Sequence, residues 1–94
     1  MHTCKVPQLD ARLAAAYAFV RAGRVAADIG CDHGKLSAAL AGSDRCPLVL
    51  ACDLRPAPLE KARMTCAPYG DKVRFRLGSG LAVLQPGEAE DIII

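Results

Sequence analysis

No C-x-x-C pair occurs in this sequence, and its five cysteines, Cys4, Cys31, Cys46, Cys52 and Cys66, form an odd and unpatterned set. Neither a disulfide framework nor a zinc site fits that spacing, so free thiols that pack as small hydrophobes are expected. Long hydrophobic runs are missing too. Arg, Asp or Gly interrupts each apolar stretch well before the ~20 residues of a membrane span, and the N-terminus lacks a charged-then-apolar signal pattern. A cytoplasmic protein without a membrane partner is therefore expected. Neither sign of charge dominates: 12 basic residues face 10 acidic ones, and a net charge of +2 does not by itself announce nucleic acid. Internal repeats, low-complexity tracts and linkers are also lacking, so residues 1–94 read as one continuous unit around one core. What the chain does have is 52% apolar residues, enough for a folded domain.

Those apolar residues change period along the chain. Leu9, Leu13, Ala16, Tyr17 and Val20 recur at helical spacing, which predicts an amphipathic helix from Leu9 to Val20 with Gly23 terminating it. Arg24–Ile29 (RVAADI) then reads as a strand buried on both faces, and Gly34–Ala41 as a short helix ending at Gly42. Pro47–Asp53 (PLVLACD) repeats the pattern of an apolar run ending in an acid, and predicts a second strand. Pro56 and Pro58 open a third helix with Leu59, Ala62 and Cys66 on its apolar stripe, ended by Pro68 and Gly70. Lys72–Leu77 alternates, placing Val73, Phe75 and Leu77 on one face and Lys72, Arg74 and Arg76 on the other, as in an edge strand protected by charge. Asp91–Ile94 reads as one more buried strand. Strands alternating with helices imply a parallel α/β sheet, and right-handed crossovers favour the order 3-2-1-4, with ligands bound where the winding reverses between strands 1 and 4.

The chemistry concentrates in Asp28-Ile-Gly-Cys-Asp-His-Gly34, where the first strand turns into a helix. Gly30 lets the chain turn tightly, Gly34 allows close backbone approach, and the helix N-terminus lends positive potential. Dinucleotide binders share this arrangement, but their G-x-G-x-x-G fingerprint needs glycine where this chain has Asp32, a carboxylate that would repel a diphosphate. Asp28 and Asp32 suit instead a nucleoside carrying an ammonium and a sulfonium, namely S-adenosyl-L-methionine. About twenty-five residues beyond Asp28, Asp53 ends the second strand, close to the offset at which an acid accepts hydrogen bonds from an adenosine ribose. His33 reads as a solvated loop residue, and Cys31 is the one thiol that lies inside the loop.

The segments ADIGCDHGKL (Ala27–Leu36), ACDLRPAPLEKA (Ala51–Ala62), RFRLGSGL (Arg74–Leu81) and the terminal EDIII resemble the bacterial tRNA (adenine-22-N1)-methyltransferases over most of the chain. The resemblance implies a Rossmann-like class I methyltransferase fold, of which this chain is the N-terminal, cofactor-binding part. It also implies S-adenosyl-L-methionine as cofactor and tRNA as partner of the full-length enzyme. By position, Asp28, Gly30, Cys31, Asp32, His33 and Gly34 would form the first cofactor loop. Asp53, with Leu54 beside it, would hold the ribose, and Gly78, Ser79 and Gly80 would border the adenine. Asp32, nearest the transferred methyl by analogy, is the candidate catalytic residue. Where the family has Asp between the two glycines this chain has Ser79, a shorter acceptor that would hold adenine less tightly. The family continues beyond the fourth strand into a loop lining the target-base pocket. The resemblance therefore implies little transfer activity for residues 1–94 alone, and self-association through an exposed fourth strand.

Two other functions compete. A nicotinamide or flavin half-domain would also use Asp53 and the glycine loop, with Asp32 counting against it. A non-catalytic RNA-binding module would use Lys72, Arg74 and Arg76 to meet phosphates.

Overall fold

Each change of apolar period becomes a change of element in the computed structural model, which describes residues 8–94; Cys4 lies outside them. The strands are β1 (Ala26–Ile29), β2 (Val49–Asp53), β3 (Val73–Leu77) and β4 (Asp91–Ile93), and the helices are α1 (Ala11–Phe19), α2 (Lys35–Gly42) and α3 (Pro56–Cys66). The sheet runs β3-β2-β1-β4, parallel throughout, in the expected order. Its register sets Asp28 opposite Ala51 and Ile93, and Asp53 opposite Leu77, so the strands' carboxyl ends lie along one rim.

Both sheet faces are apolar. On one, Ala26, Val49, Ala51 and Val73 pack beneath Leu36 and Leu40 of α2 and Leu59, Ala62 and Cys66 of α3. On the other, Ala27, Leu50 and Cys52 are covered by Val83, Leu84 and Ala89, which belong to the connection between β3 and β4 rather than to an α-helix. The third helix buries the stripe its spacing predicts, Leu59, Ala62 and Cys66. The chain beyond it does not stop at Pro68 but tightens into 3-10 turns from Ala67 to Lys72, broken at Gly70 (φ 56°, ψ −129°).

Three expectations are corrected. The first helix is shorter than Leu9–Val20. Asp10 caps it by accepting from the Leu13 N–H (2.8 Å), and it ends at Phe19 rather than at Gly23, because buried Val20 has already left helical geometry to enter the core. Its apolar residues Leu9, Leu13, Ala16 and Tyr17 are only half-buried against that core. In β3, Leu77 is exposed and Arg76 half-buried, the reverse of the alternation. Arg76 donates to the Val83 carbonyl (2.9 Å) and forms a two-pronged ion pair with Glu88, so the covering segment shields it. Ile92 in β4 and Ile94 just beyond it are exposed, and only Ile93 packs on the core; β1 is the strand's only neighbour among the described residues. Asp91, at the head of β4, is held by Arg21, whose Nε donates at 2.9 Å and whose backbone N–H donates at 2.8 Å.

Candidate functional site

A cleft of about 430 Å³ opens where β1 and β4 lie side by side at the rim, the point at which the winding direction reverses. Ile29, Ile93 and Ile94 form part of its wall, and Asp28, Gly30, Cys31, Asp32 and His33 supply the loop side. Asp10, Arg12 and Lys35 add charge from α1 and from the start of α2. Sequence reasoning missed these three and the three isoleucines. Nothing in local spacing marks them, but the predicted strand order already placed the end of β4 beside the end of β1.

The loop is held by its own backbone. Gly30 and Cys31 both donate to the Cys52 carbonyl (2.8 and 2.9 Å), Asp32 donates to Asp53 Oδ2 (3.0 Å), and Gly34 donates to the Cys31 carbonyl (2.9 Å). Three residues of the loop have positive φ: Gly30 (75°), Asp32 (54°) and Gly34 (81°). Asp is among the few side chains that tolerate this region, through local hydrogen bonding. Those four amides are committed inside the protein, and against the dinucleotide alternative stands the exposed carboxylate of Asp32 in the bend.

Its carboxylates differ sharply. Asp28 is buried, and desolvation pushes its carboxyl above the usual range against the opposing bond from Ser37 Oγ to Oδ2 (2.8 Å). A buried acid in a cleft wall gains most from a cationic ligand. Asp32 is exposed, with His33 Nε2 at 3.8 Å and an Arg55 guanidinium nitrogen at 3.7 Å from Oδ1. His33 is likewise exposed, as expected of a solvated loop residue. The Cys31 thiol is buried and pushed up to about 12 by desolvation, with Asp28 and Asp53 adding to the effect, so it is inert near neutral pH. Cys46, Cys52 and Cys66 are free and buried as well.

Asp53, Leu54, Gly78, Ser79 and Gly80 do not line the cleft; they continue the rim on its far side. Gly78 donates to the Asp53 carbonyl (3.0 Å), which ties the turn after β3 to the end of β2. Leu54, Ser79 and Gly80 are exposed. Asp53 is 3% exposed, and burial would raise its carboxyl, but the N–H and guanidinium of Arg55 and the N–H of Asp32 outweigh that and hold it below its usual range. Arg55, two residues beyond the acid, was also missed by sequence reasoning. The basic stripe from Lys72 to Arg76 is largely neutralised, since Lys72 is paired with Asp44 and Arg76 with Glu88. That removes most of the case for a phosphate-binding face. None of the helices among the described residues is long and apolar enough to cross a membrane, and no cluster of His, Cys, Asp or Glu there could hold a metal ion.

A parallel sheet of order 3-2-1-4, with an acid one residue short of the end of its first strand, another ending its second, and a cleft at the switch point, defines a Rossmann-like domain of the class I methyltransferase type. Residues 9–94 match the family model described as a methyltransferase domain, and the chain belongs to that family. Among solved structures it is similar to the m1A22 tRNA methyltransferase TrmK of B. subtilis, with 29% identity, TM-score 0.84, and 90% of this chain against 37% of that one. It is similar also to M. capricolum TrmK in complex with S-adenosyl-homocysteine, with 28% identity, TM-score 0.73, and 79% of this chain against 34% of that one. Sp1610 of Streptococcus pneumoniae in complex with S-adenosyl-L-methionine aligns with 25% identity and TM-score 0.83, over 90% of this chain and 41% of that one. The chain thus spans well under half the length of these proteins. No curated protein sequence matches it significantly.

Proposed function

We infer that this chain is the cofactor-binding portion of an S-adenosyl-L-methionine-dependent methyltransferase acting on N1 of adenine 22 in tRNA. The observation that carries the cofactor assignment is the buried Asp28 carboxylate in the wall of the switch-point cleft. The tRNA assignment rests on the segments quoted above and on likeness to structures of tRNA m1A22 methyltransferases at 25–29% identity. Cytoplasmic location accords with that substrate.

S-adenosyl-L-methionine supplies an electrophilic methyl group on a sulfonium. Asp28 and Asp32 offer the negative potential that favours such a cation, and Gly30, Cys31, His33 and Gly34 shape the bend around it. Gly30 has positive φ and nothing within 4 Å of the place its Cβ would take, so the loop leaves room at that point. Asp53, with Leu54, would take the ribose, and Gly78, Ser79 and Gly80 the adenine. Adenine N1 already carries a lone pair at neutral pH, so the protein's main task is to orient the base rather than to activate it. Asp32, exposed at the cleft, would stabilise the cationic methylated ring or accept a proton from it. The target base must leave its stack to arrive there, at a few kcal/mol of lost stacking. Ile92 in β4 and Ile94 just past it are exposed, and β4 has only β1 beside it among the described residues, which supports self-association; sedimentation velocity over a concentration series tests it.

Calorimetric titration tests the cofactor. S-adenosylhomocysteine should bind and NAD should not, and replacing both Asp28 and Asp32 by Asn should weaken binding at least tenfold. Binding of NAD in the same range, or no effect of the double replacement, would overturn the assignment. The substrate is tested by mass spectrometry of N1-methyladenosine at position 22 of tRNA from cells with and without the encoding gene.

A further inference from the structure

Asp53 is the acid on which the ribose assignment depends, and its hydrogen bonds can be counted. Oδ1 accepts from the Arg55 backbone N–H (2.9 Å) and from Arg55 Nε (3.2 Å). Oδ2 accepts from the Asp32 N–H (3.0 Å) and, more weakly, from an Arg55 guanidinium nitrogen (3.5 Å). A carboxylate has about four acceptor sites, so this one is full. Two of the four donors are backbone amides fixed by the fold. The other two belong to one side chain that is 61% exposed on a carboxylate only 2% exposed. The same guanidinium lies 3.7 Å from Asp32 Oδ1, so it bridges the two acids of the rim.

A ribose brings two adjacent hydroxyls, each a donor, the same number that the guanidinium places on Asp53. We propose that Arg55 is a specificity-determining residue that occupies the acceptor sites of Asp53 until a ligand bearing a vicinal diol replaces its two bonds one for one. Such a ligand leaves the buried carboxylate fully bonded and frees the guanidinium to water. A nucleoside without the diol gives Asp53 nothing in exchange, so Arg55 stays. Displacing Arg55 also releases Asp32, so ribose binding uncovers the exposed acid of the cleft. The inference rests on the cofactor reading above and says which part of the cofactor the rim senses.

The test is titration calorimetry of the chain and of Arg55→Ala with S-adenosylhomocysteine and with its 2′,3′-dideoxy analogue. In Arg55→Ala the carboxylate stands without its competitor. S-adenosylhomocysteine should then bind about three- to tenfold more tightly. The ratio of its affinity to that of the dideoxy analogue should rise by at least the same factor, since beneath the analogue Asp53 keeps only its two backbone donors, and the two acceptor sites that Arg55 filled go without a ligand donor. A purely structural role for Arg55 would loosen both ligands together and leave the ratio unchanged. In the unaltered chain, the Arg55 Nε–H resonance should shift with S-adenosylhomocysteine and stay with the dideoxy analogue, a measurement that does not depend on the variant folding. Weaker binding of S-adenosylhomocysteine by Arg55→Ala, an unchanged ratio, or an Nε–H resonance that ignores the diol would each overturn the inference while leaving the cofactor reading intact. Absence of S-adenosylhomocysteine binding by the unaltered chain would overturn both.

Discussion

Gly34 and Gly30 share a loop and nearly the same backbone angle, φ +81° and φ +75°, yet their surroundings differ completely. A Cβ on Gly34 would meet the Cα and Cβ of Ala62 at 2.9 Å and its carbonyl oxygen at 3.3 Å, whereas a Cβ on Gly30 would meet nothing within 4 Å. Alanine at either position takes on left-handed strain of roughly 1–2 kcal/mol. At Gly34 it must also push α2 and α3 apart, because the obstructing atoms are mostly backbone and cannot rotate away; overpacking of that kind costs a further ~1–3 kcal/mol. Gly34→Ala should therefore be less stable than Gly30→Ala by about 1–3 kcal/mol, which for a chain of this size is roughly 5–20 °C in Tm. Paired urea and thermal unfolding, followed by circular dichroism, measure the difference directly and cancel the shared backbone term. Equal stability of the two variants within ~0.5 kcal/mol would refute the claim that the second glycine of the loop, Gly34, exists for helix packing. Gly30→Ala carries the complementary expectation: it keeps the fold but sends a methyl group into the space beside the cleft, so S-adenosylhomocysteine affinity should fall where stability falls only modestly.

Asp28→Asn should raise the thermal stability of the free chain at pH 7, because burial favours the neutral acid, and the gain should shrink as pH falls and Asp28 itself takes up a proton; the same change should weaken S-adenosylhomocysteine in calorimetry. Glu88 has the opposite sign. Its bonds to Arg76 and to the Gln85 N–H hold it at about 2, so the stability it confers is complete above its unfolded value near 4.5 and is lost as pH falls through about 2, and Glu88→Gln should flatten the Tm profile over that window. With Cys4 replaced by Ser, iodoacetamide at pH 7.5 should leave the native chain unmodified and label Cys31, Cys46, Cys52 and Cys66 after urea unfolding, counted by mass spectrometry. Labelling of Cys31 in the native state would contradict its burial.

Much of the architecture was legible without coordinates. The periods of the apolar residues located every α-helix and strand, because burial on one face or on two imposes 3.6-residue, 2-residue or continuous patterns whatever the eventual neighbours. The run Asp28–Gly34 stood out as a strand-to-helix turn because glycines at 30 and 34 suit a tight bend, and both do have positive φ. The fates of Leu77 and Arg76 were not legible, since alternation assumes that only one face is covered, and here Val83 and Glu88 return over the other. Nor was the exposure of Ile92, which depends on what lies across the sheet.

At the site, the chain order of residues was sufficient to predict that Asp28 and Asp53 lie near the carboxyl ends of adjacent parallel strands, for connectivity and handedness leave few alternatives. Tertiary structure alone decided how the acids differ. Burial made Asp28 a desolvated acid in the cleft wall, a left-handed bend left Asp32 in solvent, and Arg55 folded back to fill the acceptor sites of Asp53. Charge in a sequence is a formal quantity, and only distance, dielectric and hydrogen-bond count in the folded chain turn it into chemistry.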